Sequence, residues 1–200
     1  MRIGKTALLQ ANVFHVQVDR PIVYVFDDQT LDNYMNRQRA GSQGLELKFQ
    51  WRKESLSAFL SAGTYRAVHA PGDLPESELE DNPALYQAMP DLTASASVHW
   101  QATASLSLGG ACIHRGSQWA YVPSGADGGN LSLMELPSTN EFNAHVSYRL
   151  PFLHGLRVSV ACNNIADQRI WLASPYANGE RPLPQAGRTW LFHIDHRLGL

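Results

Sequence analysis

LTASASVHW, residues 92–100, alternates without a break: Leu92, Ala94, Ala96, Val98 and Trp100 fall on one side, Thr93, Ser95, Ser97 and His99 on the other. Two is the side-chain period of extended backbone, so this stretch predicts a β-strand with one apolar and one polar face. EFNAHVSYRL, residues 141–150, repeats the pattern, with Phe142, Ala144, Val146, Tyr148 and Leu150 set against Glu141, Asn143, His145, Ser147 and Arg149. Neither segment has the 3.6-residue period of a helix.

Three further segments follow the rule. In residues 44–52, Leu45, Leu47, Phe49 and Trp51 oppose Glu46, Lys48, Gln50 and Arg52; in 156–163, Leu156, Val158, Val160 and Cys162 oppose Arg157, Ser159, Ala161 and Asn163; in 188–198, Trp190, Phe192, Ile194 and Leu198 oppose Thr189, His193, Asp195 and Arg197. Residues 56–69 and 104–115 are β-like but rich in small side chains. Residues 6–26 form one long strand disturbed at Arg20-Pro21, where proline has no N–H to give a ladder. The expectation is an all-β chain of eight strands, with short turns at 52–56, 101–104 and 150–156. Longer Gly-, Pro-, Asp- and Asn-rich connections cover 28–34, 70–90, 116–137 and 171–186.

Short turns at one end and long loops at the other are what an antiparallel meander in an outer-membrane barrel has. Composition agrees. Apolar residues make up 44% of the 200 and charged residues only 17%, below the roughly 25% usual for a soluble domain. No apolar run approaches the ~20 residues of a spanning helix, but barrel strands need only about 9–11 and only one apolar face. Trp51, Trp100, Tyr148 and Phe152 all sit near the short-turn end, where an interfacial girdle belongs. Glu46, Lys48, Gln50 and Arg52 in successive same-face positions fit a wet lumen, not a dry core. The pattern alone does not say which face points inward, and a soluble ligand-binding barrel would reverse them.

In order along the chain, several short motifs resemble the barrel domain of TonB-dependent outer-membrane receptors. Asn36, Ala40, Gly44, Leu45 and Glu46 fall where that family has its asparagine, alanine and Gly-hydrophobic-Glu strand. Residues 89–100 resemble a proline-led strand after an outer loop. Asn164, Ile165 and Asp167 stand for an Asn-Leu-x-Asp signature after the penultimate hairpin, and Gly187-Arg188 for the lead-in to the last strand. The resemblance implies an open, curved sheet forming the C-terminal part of a transmembrane β-barrel, with residues 1–200 a single partial barrel domain. It implies outer-membrane uptake in a Gram-negative bacterium of a scarce nutrient such as a ferric siderophore. The partners it implies are outer-membrane lipid, an extracellular small-molecule ligand, a plug domain and earlier barrel strands not found in these residues, and the TonB complex acting through that plug. No plug, TonB-contacting segment or signal peptide is legible in these residues. The alternative is a self-contained eight-stranded barrel, either an outer-membrane pore or a soluble small-ligand carrier, closed by pairing residues near 10 with residues near 194.

The chemistry expected is binding and passage, with no catalytic residue and no cofactor. No nucleophile elbow, HExxH or phosphate-binding loop occurs. The eight histidines are scattered, and His193 and His196 fall on opposite strand faces, so no metal site is expected. Cys112 and Cys162 lack a CxxC context. A net charge of −2 gives nucleic acid no electrostatic reason to bind. Gly44, Glu46, Asn36, Asn164, Asp167, Gly187 and Arg188 are expected to serve structure: glycine permits a tight bend, and Asn and Asp hydrogen-bond local backbone at a turn. Ligand recognition falls to the long loops, where Trp119, Tyr121, Trp171, Tyr176 and Arg181 combine aromatic faces with a cation suited to a bulky anionic solute.

Overall fold

The computed structural model describes residues 2–25, 33–36, 39–69, 89–124, 130–153, 155–172 and 182–196. In chain order its strands are β1 (Arg2–Ile3), β2 (Ala7–Asp19), β3 (Ile22–Val25), β4 (Asn33–Asn36), β5 (Arg39–Lys53), β6 (Leu56–His69), β7 (Leu92–Gln101) and β8 (Leu106–Arg115), then β9 (Gln118–Ser124), β10 (Asn130–Leu136), β11 (Thr139–Arg149), β12 (Leu156–Asn163), β13 (Trp171–Leu172), β14 (Leu183–Pro184) and β15 (Thr189–His196). Nine of them form one antiparallel sheet, ordered β1-β2-β5-β6-β7-β8-β11-β12-β15. Its eight long strands match the eight expected, five of them from period two. The opening segment breaks where proline required: Arg20 takes a left-handed φ of 53° before Pro21, and β3 leaves the sheet to pair with β4.

The sheet is open. Among the described residues β15 pairs only with β12, and β2 only with β1 and β5. The closed ladder between residues near 10 and near 194, which a self-contained barrel needs, is not formed. Three of the long connections are also more regular than their turn-rich composition predicts, and residues 70–88 of the fourth lie outside the described residues. The 116–137 connection contains the β9–β10 hairpin, the 171–186 connection the short β13–β14 ladder, and β3–β4 rises from the first. Asn36 therefore stands on β4, in a ladder separate from the β5 strand that carries Gly44 and Glu46.

Register carries the two faces intact across the sheet. One apolar row runs Ala7, Trp51, Ala58, Val98, Gly110, Ala144, Cys162, Trp190. The adjacent polar row runs Arg52, Ser57, His99, Gly109, His145, Ala161, Leu191. One concavity is lined both by the β1–β2 end, at Arg2 and Lys5, and by Asn163 of β12, so the polar face is the concave one. This is the reverse of a soluble lipophile carrier.

Packing completes the picture. The buried apolar residues among those described are only Ala120, Leu136, Cys162 and Ile170, whereas Val13 is 79% exposed, Phe192 76% and Ile194 70%. A water-soluble domain does not leave a continuous apolar band bare. A bilayer covers such a band, and strands of 8 to 15 residues bracket the length needed to cross it. No described helix is long and apolar enough to span a membrane. Trp100, Tyr148 and Phe152 are exposed near the short turns, as a girdle requires.

Candidate functional site

The working surface is the concave wall and the turns that end it at the long-loop side. Hydroxyls and charges cluster on this wall because every second residue faces it. Ser61 and Ser95 share a hydrogen bond of 2.7 Å, Ser159 donates to Ser147 at 2.9 Å, and the Arg115 guanidinium lies 3.6 Å from the Glu141 carboxylate. His99 and His145 stack with ring centroids 5.9 Å apart across Gly109. Gly44 lies on the same wall beneath a ring: a Cβ there would sit 2.8 Å from Phe14 Cζ, so its lack of a side chain is what admits the Phe14 ring. Glu46 stands opposite Gly63.

After β12 the chain turns on Asn164, which is 3% exposed. Its φ of 51° and the 53° of Asp167 are left-handed values that asparagine and aspartate tolerate better than most residues. The Asn164 side chain closes the turn on itself. Its Nδ2 donates to the Gln168 carbonyl at 2.8 Å, and its Oδ1 accepts from the Gln168 N–H at 3.0 Å. The Asn164 N–H donates to Asn143 Oδ1 at 2.8 Å, and the Asn143 amide donates to Glu141 at 3.1 Å. Gln168 Oε1 accepts from the Asn140 N–H at 2.8 Å.

The second half of the motif docks on the first. Asp167 Oδ1 accepts the Arg188 N–H at 2.8 Å, and Arg188 Nε donates to the Ile165 carbonyl at 3.0 Å. A Cβ on Gly187 would lie 2.9 Å from Asp167 Oδ1. Close approach of the carboxylate, not a left-handed bend, is thus what glycine provides there. The root of the last long loop is clamped to β11 and to the lead-in of β15 by one polar network.

The loop candidates are not gathered into one described cluster. Trp119 and Tyr121 belong to β9, not to an irregular loop, and Trp119 is half-buried; Trp171, 42% exposed, stands on β13. Tyr176 and Arg181 lie outside the described residues. Sequence reasoning missed Asn143, Gln168 and the Arg115–Glu141 pair as partners of the motif. Asn143 and Glu141 were visible only as members of a polar face, and Gln168 only as the residue after Asp167. No group of three or more described His, Cys, Asp or Glu residues is placed to hold a metal ion.

A family model described as TonB dependent receptor-like, beta-barrel, matches residues 2–165. Among solved structures, the ferric-catecholate import receptor Fiu from E. coli K12 is 18% identical, with a TM-score of 0.70 over 97% of this chain and 26% of its own. P. aeruginosa FpvA bound to a heterologous ferric pyoverdine is 11% identical, with a TM-score of 0.74 over 98% and 25%. The copper transporter OprC is 15% identical, with a TM-score of 0.71 over 98% and 30%. The chain thus spans between a quarter and a third of these relatives' length. No curated protein sequence matches it. A match over most of the chain, on a sheet with these two faces, is decisive: the chain belongs to the TonB-dependent receptor-like β-barrel family of the Gram-negative outer membrane.

Proposed function

We propose that this chain is the C-terminal part of a receptor barrel that takes up a scarce metal as a chelate. Residues 1–200 supply one partial barrel domain. Earlier strands complete the wall, a plug closes the lumen, and the TonB complex acts through that plug. The observation that carries the reading is the pairing of a bare apolar convex face with a hydrated concave one in an unclosed sheet. The Asn164–Asp167–Arg188 clamp supports the C-terminal assignment, since the motif it forms resembles the one that precedes the family's last strand. Trp119, Tyr121, Trp171, Tyr176 and Arg181 remain the residues assigned to cargo contact at the outer loops.

The cargo class draws on the solved relatives, whose names record a ferric catecholate, a ferric pyoverdine and copper. The test is accumulation of radioactive iron, as a catecholate and as a hydroxamate chelate, and of copper. Cells lacking other receptors express the whole receptor that contains these residues. Uptake of at least one cargo that stops when TonB is deleted is the expected result. A protein that reaches the outer membrane folded and takes up none of them, or does so unchanged without TonB, overturns the proposal.

A further inference from the structure

On the convex face one row of the register has little side-chain bulk. Gly110, Ala144 and Cys162 are successive partners across β8, β11 and β12, and Trp190 of β15 ends the row. The next row toward the short turns is Leu108, Val146, Val160 and Phe192, all large. A groove of about 520 Å³ results, bordered by Leu108, Val146, Val160 and Trp190. Cys162 is buried at its floor, whereas Trp190 is 58% exposed. Arg188, two residues outward of Trp190 on the long-loop side, is the one arginine or lysine that lines it. Its side chain is anchored but its charge is not used. Nε donates to the Ile165 carbonyl and the backbone N–H to Asp167 Oδ1. Among the described residues Nη1 and Nη2 have no hydrogen-bond partner, and no ion pair joins the guanidinium to Asp167 or to another carboxylate.

We propose that this groove seats one lipid of the outer leaflet, a phosphorylated glycolipid whose phosphate is held by Arg188 and one of whose acyl chains lies over Ala144 and Cys162. The convex face already meets the bilayer, and the long loops mark its outer end, so the site continues an interface described above. Depth agrees. Arg188 stands four residues from Phe192, the partner of Val160, about 13 Å along the strand and roughly 10 Å in depth at a tilt of about 40°. From there a guanidinium reaches the headgroups. The occupant must be apolar along the floor and anionic at the outer end, which is the layout of a lipid. A planar guanidinium with free terminal N–H groups matches phosphate oxygens, and a basic group beside a membrane-facing groove is how a bilayer protein selects an anionic headgroup. The inference does not rest on the uptake reading, only on the convex face meeting lipid.

The whole receptor that contains these residues is purified in a neutral detergent, stripped of lipid, and mixed with diphosphorylated lipid A, with phosphatidylglycerol or with zwitterionic phosphatidylcholine. Native mass spectrometry counts the lipids retained. One lipid A per receptor is expected, held more tightly than either phospholipid. Arg188→Gln weakens its retention about tenfold. Ala144→Phe, which fills the groove and leaves every Arg188 contact in place, weakens it by a similar factor. Arg66→Gln removes another exposed cation, on β6 opposite Gln43 of the same convex face, and leaves retention within about twofold. The fast-migrating unheated gel band reports that each variant is folded, and if Arg188→Gln is not, Ala144→Phe decides. Equal loss in Arg66→Gln and Arg188→Gln means diffuse attraction and overturns the site, as does unchanged retention in Ala144→Phe. Phosphatidylglycerol held as tightly as lipid A overturns the outer-leaflet assignment, and phosphatidylcholine held as tightly overturns the role of charge. A receptor dimer that forms in place of the lipid adduct and is lost in Ala144→Phe gives the groove to a second copy and overturns the proposal.

Discussion

Val160 and Ser159 are adjacent on β12 and face opposite ways, so lysine at each tests which side meets lipid. Val160 pairs with Val146 and Phe192, all on the convex apolar face. It stands four residues from Leu156 and three from Asn163, about 13 and 10 Å along the strand at ~3.3 Å per residue. A strand tilt of about 40° turns these into roughly 10 and 8 Å of depth, near the middle of the hydrocarbon layer. Lysine at that depth costs about 2–4 kcal/mol, roughly 30- to 700-fold in the folding equilibrium. Ser159→Lys loses the 2.9 Å bond to Ser147, but both groups stay hydrated, so its cost is about 1 kcal/mol or less. The assay is urea unfolding in outer membranes, followed by the loss of the fast-migrating unheated band on gels. Equal effects, or a larger effect at Ser159, would refute the face assignment.

Asn164→Ala removes both side-chain bonds to Gln168 in a buried turn and puts alanine at a left-handed φ. It is expected to cost about 2–4 kcal/mol, and Asn164→Gly about 1 kcal/mol less because it relieves only the backbone; urea midpoints measure both. Gly109→Val collides with the His145 ring and is expected to destabilise by about 1–2 kcal/mol. His145→Ala recovers most of that loss, and a double-mutant cycle showing no coupling would contradict the stacked geometry. Glu141→Gln leaves the Arg115 charge, whose Nη1 is buried without a hydrogen-bond partner, facing a neutral amide. The wall is partly hydrated, so the expected cost is about 1–2 kcal/mol, below that of a fully buried pair, and Arg115→Met with Glu141→Gln, which keeps an acceptor for the Asn143 amide, recovers most of it.

Alternation in residues 92–100 and 141–150 was enough to predict strands and their two faces, because period two is a local property of each segment. The β9–β10 hairpin was not legible. Its strands contain Pro123 and end at a Gly-rich stretch, and they form because Trp119 meets Glu135 and Ala120 meets Met134 across the hairpin. Local composition does not encode that pairing. Nor could the sequence say which face is inside, since curvature belongs to the assembled sheet and emerges only from the rows that run through eight strands. At the site, the Asn-x-x-Asp spacing marked Asn164 and Asp167, yet Asn143 and Arg188, which complete the clamp, lie 21 residues away on either side of them. A chain turning back on itself makes such partners invisible to any reading of neighbours.

The exposures at the two edges bear on where this wall is incomplete. Val13 on β2 and Phe192 and Ile194 on β15 are the barest of the outward residues on the main sheet, while Val146 on β11, flanked by β8 and β12, is 38% exposed. A flanking strand covers part of its neighbour's side chains, so the gradient marks the places where further strands would pair. The eight long strands are therefore one stretch of wall, and their open edges, not a ladder of their own, are where it joins the rest of a barrel.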